Sequence, residues 1–150
     1  MFSVPLWLIK STIKNPQSEM STVEIENTFS KKERLSSGKE IDKLFSRGKK
    51  FSLSPLRIFW RVREHEVKSE IKIMISVPKK IFARAVDRNL IKRRIREAYR
   101  QNKQILPQLN KLGRPHSLEI AFIYNGKDII EYHELETKII SVLQGIAELL

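Results

Sequence analysis

The 150-residue chain has no cysteine. That excludes a disulfide framework, a thiolate metal site and a cysteine nucleophile, and an intracellular, cytoplasmic setting fits the absence best. Long apolar segments are also missing: the run Phe2 to Ile9 is too short to span a bilayer and lacks the basic start of a secretory signal. Nor is there a basic amphipathic stretch with a lipid-facing stripe, so a membrane is a poor candidate partner. Histidine is confined to His65, His116 and His133, which are far apart and belong to no HExxH-like pattern. Each is expected to play a surface or capping part. Glu131, Glu134 and Glu136 read as helix-start charges placed where the dipole favours them. No constellation for protein-based catalysis remains, and no metal site is expected in the protein. Acidic residues are scarce too, 17 against 29 basic ones, for a net charge of +12. A compact domain tolerates that excess poorly unless a polyanion screens it, and nucleic acid is the leading candidate.

The apolar content of 41% suffices for one modest core, and the length allows one domain plus a tail. Residues 11 to 28 are rich in Ser, Thr, Asn and acidic side chains without sustained periodicity. The expectation is a flexible extension over 1–28, with Met20 as a candidate start, and a domain over 29–150. From Ser36, a potential helix cap, Ile41, Leu44 and Phe45 recur at helical spacing until Gly48. Between Leu56 and Arg63 the period becomes two: Leu56, Ile58, Trp60 and Val62 face one way, Arg57, Phe59, Arg61 and Arg63 the other. A second alternating strand, Ile71 to Val77, follows the polar stretch Glu64 to Glu70, and a hairpin between the two is expected. Arg84 to about Lys103 holds neither Gly nor Pro and reads as a helix of about five turns. Pro107, Gly113 and Pro115 break the pattern before a third strand, Leu118 to Tyr124, ending at Asn125-Gly126. Ile139, Ile140, Leu143, Ile146, Ala147 and Leu150 mark one face of a closing helix. The expected class is α+β, in the order αββαβα.

Charge concentrates in one place. Residues 79 to 103 hold ten Lys or Arg against Asp87 and Glu97, which is +8 of the chain's +12. On a helix, Asn89, Lys92, Arg93, Arg96 and Arg100 fall within about a 100° arc, while Ile91, Ile95, Ala98 and Tyr99 cluster on an adjoining one. One side packs and the other suits phosphate. A solvated face is the plainer explanation for an ordinary charge run. Like charges at three- and four-residue spacing repel along a helix, however, and an RNA backbone would account for a stripe this dense.

Val77-Pro78-Lys79-Lys80, then Arg84-Ala85-Val86-Asp87-Arg88-Asn89-Leu90-Ile91-Lys92-Arg93, then Arg96-Glu97-Ala98-Tyr99-Arg100 together resemble the signature of the ribonuclease P protein family. Phe29 to Leu35 and Asp42 to Lys49 resemble that family's opening, so the likeness runs from Phe29 to Leu150. The resemblance implies a two-layer sandwich with a small mixed sheet, in which the basic helix joins two parallel strands by a left-handed crossover, against the general rule of hand. It implies that Lys79, Lys80, Arg84, Arg88, Asn89, Lys92, Arg93, Arg96 and Arg100 bind a catalytic RNA. Phe45, Arg57, Phe59 and Arg61 would line a cleft for the 5′ leader of precursor transfer RNA. Arg57, Phe59 and Arg61 give that cleft separate support, since cations beside a ring suit a single strand. Phosphodiester cleavage would then belong to the RNA, with Mg²⁺ held mainly by RNA phosphates and no protein partner required. Two positions depart from the family pattern: Leu90 replaces a basic residue, and Ile41 an aromatic. Two other readings share the charge: a structural, ribosomal-type RNA-binding protein without a leader cleft, and a DNA-binding regulator. The latter would need a dimerisation element, and no zipper heptads are present.

Overall fold

The structure, a computed structural model, describes residues 29–64, 69–106 and 116–150. The expected extension over 1–28, with Met20, lies outside the described residues, as do His65 and the breakers Pro107, Gly113 and Pro115.

Helix α1 spans Gly38–Arg47. Its cap is Ser37 rather than the expected Ser36, because Ser37 lies three residues before Glu40 and its Oγ accepts from the Glu40 N–H. Gly48 ends it as anticipated. A Cβ there would strike the Leu44 carbonyl and come within 3.0 Å of the Trp60 carbonyl, so this junction requires glycine. Strand β1 (Lys49–Leu53) then turns through Ser54 and Pro55 into β2 (Leu56–Glu64), pairing antiparallel from Leu53 with Leu56 to Lys49 with Trp60. The remaining elements are β3 (Glu70–Ser76), α2 (Ala85–Asn102), β4 (His116–Tyr124) and α3 (Tyr132–Leu149). The anticipated order thus gains one strand, β1, in what reads from sequence as a connection.

The sheet order is β1-β2-β4-β3. The hairpin expected between β2 and β3 does not form, for β4 lies between them, antiparallel to β2 and parallel to β3. Burial decides this. Every residue of β4 from Ser117 to Phe122 is buried, so both of its faces need cover and only a central position supplies it. The parallel pairing of β3 with β4 makes α2, the basic helix, the crossover element.

Leu56, Ile58 and Trp60 of β2, Ile73 of β3, and Leu118, Ile120, Phe122 and Tyr124 of β4 form one sheet face. Ile91, Ile95, Ala98 and Tyr99 of α2, and Leu135, Ile139, Val142, Leu143 and Ile146 of α3, close over it as the main core. On the opposite face α1 covers a smaller cluster, with Leu44 and Ala121 buried and Phe45, Phe59 and Met74 partly so. Upstream of α1, residues 29 to 35 run beside β3, where the Leu35 N–H donates to the Ile73 carbonyl at 2.8 Å.

Candidate nucleic-acid interface

Helix α2 sorts its cations by what holds them. Asp87 lies 3.8 Å from the exposed Arg84, and Glu97 takes a close bidentate pair from Arg100, at 3.0 and 2.6 Å. Hydrogen bonds from Arg100 and Gln101 hold the Glu97 carboxyl down to about 2. Two further arginines brace the chain. Arg88 donates to the carbonyls of Phe82 and Ala83, both at 2.8 Å, and pins the segment before α2. Arg94 donates to the Ile130 carbonyl at 2.6 Å and ties α2 to the start of α3. A carbonyl acceptor leaves the guanidinium charge intact, so both still contribute to the positive field. Lys79, Lys80, Lys92, Arg93 and Arg96 have no carboxylate partner among the described residues. Lys79 and Lys80 are exposed in the segment leading into α2, Asn89 and Arg93 are exposed on its outer side, and Lys92 and Arg96 flank the buried stripe.

Strand β2 turns its second face, Arg57, Phe59, Arg61 and Arg63, away from the main core, as its alternation predicts. The structure does not keep these four together. Arg61 and Arg63 lie at the covered end, where the fully buried Glu119 of β4 accepts from them at 2.6 and 3.1 Å. Arg63 Nη2 also donates to both carboxylate oxygens of Glu40 of α1, at 2.7 and 3.0 Å. Burial works against the Arg63 charge, yet hydrogen bonds and attraction from Glu119 and Glu40 outweigh it and raise its pKa. Arg61 therefore belongs to an internal ion network.

Arg57 and Phe59 lie at the open end. They line a groove of about 400 Å³ with Lys50, Phe51 and Ser52 of β1. Phe45 of α1 meets Phe59 edge to face, with ring centroids 4.7 Å apart, at the boundary between covered and open halves. Lys50 and Ser52 pair with Phe59 and Arg57 across the β1–β2 ladder, which sets two cations and a ring on one surface. Cations that follow a backbone beside a ring on which a base can stack are what a single strand requires.

The ribonuclease P family model matches residues 29–146. The chain belongs to the ribonuclease P protein family. It is similar to the ribonuclease P protein component of Porphyromonas gingivalis, 36% identical over 108 residues, covering 72% of this chain and 78% of the relative. The component from Chlorobium phaeobacteroides is 37% identical over 107 residues, covering 67% and 73%. Among solved structures, the RNase P protein from Thermotoga maritima superposes with a TM-score of 0.59 at 23% identity, covering 75% of this chain and 96% of that one. The Staphylococcus aureus protein gives 0.58 at 18% identity, covering 76% and 94%. These two likenesses establish the mixed α+β fold. The family supplies the role: an RNA-binding protein subunit in the processing of precursor transfer RNA.

Lys50, Ser52 and Glu119 are among the participants that escape a reading of the ribonuclease P motifs alone. Lys50 and Ser52 reach the groove only because β1 exists, and the short alternation Lys50, Phe51, Ser52, Leu53 was its one trace. Glu119 had a clearer signal. A lone carboxylate inside the apolar run Leu118 to Tyr124 demands a buried cation, and two alternating arginines on β2 were the available pair.

Proposed function

We propose that this protein holds the ribonuclease P RNA along the outer side of α2 and the 5′ leader of precursor transfer RNA in the groove beside Phe59, and that phosphodiester hydrolysis belongs to the RNA. The observation that carries the reading is the set of carboxylate-free cations, Lys92, Arg93 and Arg96 on a helix whose other arginines have partners within the fold, with Lys79 and Lys80 on the segment leading into it. A folded protein gains nothing from holding them together, whereas each phosphate they neutralise releases counterions. Among the described residues no three His, Asp or Glu side chains converge as a metal site. The proposal leaves Mg²⁺ to RNA phosphates and routes no step through it. No helix among the described residues is long and apolar enough to cross a membrane, and the cytoplasm is the proposed setting.

Reconstitution tests the reading. The purified protein is combined with ribonuclease P RNA from the same genome, and removal of the 5′ leader is followed at low Mg²⁺. The protein alone is expected to be inert, the RNA alone slow, and the mixture fast. The mixture is expected to bind leader-bearing precursor more tightly than mature transfer RNA. RNA binding without stimulation, or without preference for precursor, would instead favour a structural RNA-binding role.

A further inference from the structure

We infer that Phe29 organises a second RNA-binding element, in which its ring positions Arg34 and Arg96 as a paired clamp for the phosphate backbone of the catalytic RNA. The clamp would extend the α2 surface onto the segment that runs beside β3. This inference rests on the reading of α2 given above.

The Arg34 guanidinium lies 5.7 Å from the centre of the Phe29 ring and that of Arg96 lies 6.0 Å from it, so one ring is the common neighbour of both cations. The ring is itself fixed, meeting Tyr99 edge to face with centroids 5.9 Å apart. Tyr99 is buried in the main core, and its burial, with Glu33 nearby, keeps the phenol protonated. A rigid chain of contacts thus leads from core to ring to two cations.

The nearest candidate counter-charge is taken elsewhere. Glu33 accepts from Lys103 Nζ at 3.0 Å and from the Ser30 N–H at 2.8 Å. Arg34 and Arg96 have no carboxylate partner among the described residues, unlike Arg61, Arg63, Arg84 and Arg100. Nor do they brace backbone carbonyls, as Arg88 and Arg94 do. The Arg96 Nε–H is buried with no acceptor among the described residues, so the contact with an external anion falls to the terminal N–H groups. Guanidinium groups held near an aromatic ring lose little rotamer freedom on binding, and a pair of terminal N–H donors suits phosphate oxygens in a fork geometry. Arg34 is exposed, with Lys31 and Lys32 exposed on the turn beside it. Two cations that share one ring and have no carboxylate partner among the described residues describe an anion site whose ligand is external.

The test measures affinity of the full chain for ribonuclease P RNA across a salt series, with thermal unfolding as control. Arg34→Gln, at an exposed position, is expected to fold normally, weaken binding roughly tenfold and flatten the logarithmic salt slope by about 0.7 to 0.9. Phe29→Leu keeps apolar volume but removes the flat ring. It is expected to weaken binding as well, and to shrink the further effect of Arg34→Gln, so that the two changes are not additive. Lys92→Ala with Arg93→Ala serves as reference for the α2 surface. If that pair flattens the slope while Arg34→Gln changes neither slope nor affinity, the clamp is refuted and the α2 reading stands. If none of these variants changes the slope, both fail. If Phe29→Leu lowers the unfolding temperature alone and leaves affinity and slope intact, the positioning role of the ring is refuted.

Discussion

The arginines of β2 beneath α1 and the arginines along α2 are the same residue type at comparable density, yet they do opposite work. Under α1, Arg61 and Arg63 converge on Glu119, whose side chain is wholly buried, and Arg63 adds Glu40, so each charge is neutralised inside the protein. Along α2, by contrast, only Arg84 and Arg100 have carboxylate partners, and Lys92, Arg93 and Arg96 have none among the described residues. The difference is one of available acid. The network under α1 locks the helix that carries Phe45 onto the strand that carries Phe59, and so shapes the groove. Lys92, Arg93 and Arg96 on α2 make no comparable ion network among the described residues, which is why the proposal gives them to RNA. What separates the two regions is thus the carboxylate that faces Arg61 and Arg63 on β2 and is missing opposite Lys92, Arg93 and Arg96 among the described residues.

The contrast breaks most sharply at Glu119. Glu119→Gln leaves Arg61 and Arg63 short of their shared counter-charge, and is expected to lower folding stability by about 3–5 kcal/mol in urea unfolding. A loss below about 1 kcal/mol would mean that the covered arginines are as dispensable to the fold as those of α2.

Phe59 lies on the border between the two regions, and Phe59→Ala sharpens where the border runs. If the groove holds the leader, holoenzyme affinity for leader-bearing precursor is expected to fall by about 1–3 kcal/mol, while that for mature transfer RNA stays unchanged. A buried core ring such as Phe122 costs about 3–5 kcal/mol of stability when truncated and impairs every activity together. Phe59 is only half-buried, so the unfolding midpoint of its variant is expected to stay well above that of Phe122→Ala. Equal weakening for both ligands would place Phe59 with the covered region.

On α2 the expected effect is confined to binding. Lys92→Ala with Arg93→Ala should shift stability by no more than about 0.5 kcal/mol. The same pair should reduce the salt slope of RNA binding by about 1.5 units, at roughly 0.7 to 0.9 per phosphate. Arg88 is a poor choice for this experiment, because it also pins the Phe82 and Ala83 carbonyls.

The smallest effect concerns the one close ion pair within α2. The Glu97 carboxyl is held down to about 2, so the pair contributes fully above the ordinary value of 4.5 and its contribution is lost as pH falls through about 2. Both side chains are about a third exposed or more, so screening limits the contribution to under about 1 kcal/mol. Glu97→Gln is expected to be slightly less stable than the parent at neutral pH, with the gap closing as the pH is lowered toward about 2. A gap that persists there would show that the loss is not electrostatic.

Much of this was legible in the chain itself. Period-two alternation placed Arg57, Phe59, Arg61 and Arg63 on one strand face, and helical spacing separated the buried Ile91, Ile95, Ala98 and Tyr99 from the basic stripe. Those are local properties, because the direction of a side chain from a strand or helix follows from its position in the repeat. The excess of positive charge, its concentration in residues 79 to 103 and the family resemblance likewise needed no coordinates. The resemblance already implied the parallel pair joined by the basic helix, but the periodicity alone suggested a β2–β3 hairpin that does not form. Burial of both faces of β4 drew it between β2 and β3, and that choice depends on contacts between residues far apart in sequence. The tertiary structure alone also decided which cations are available. Arg61 and Arg57 are identical in type and alike in pattern, but Glu119 lies opposite the first, 58 positions away along the chain, and the groove opens beside the second. Sequence fixes a charge and the face it occupies; only the fold brings a carboxylate within reach of it, because ion pairing acts through distance in space.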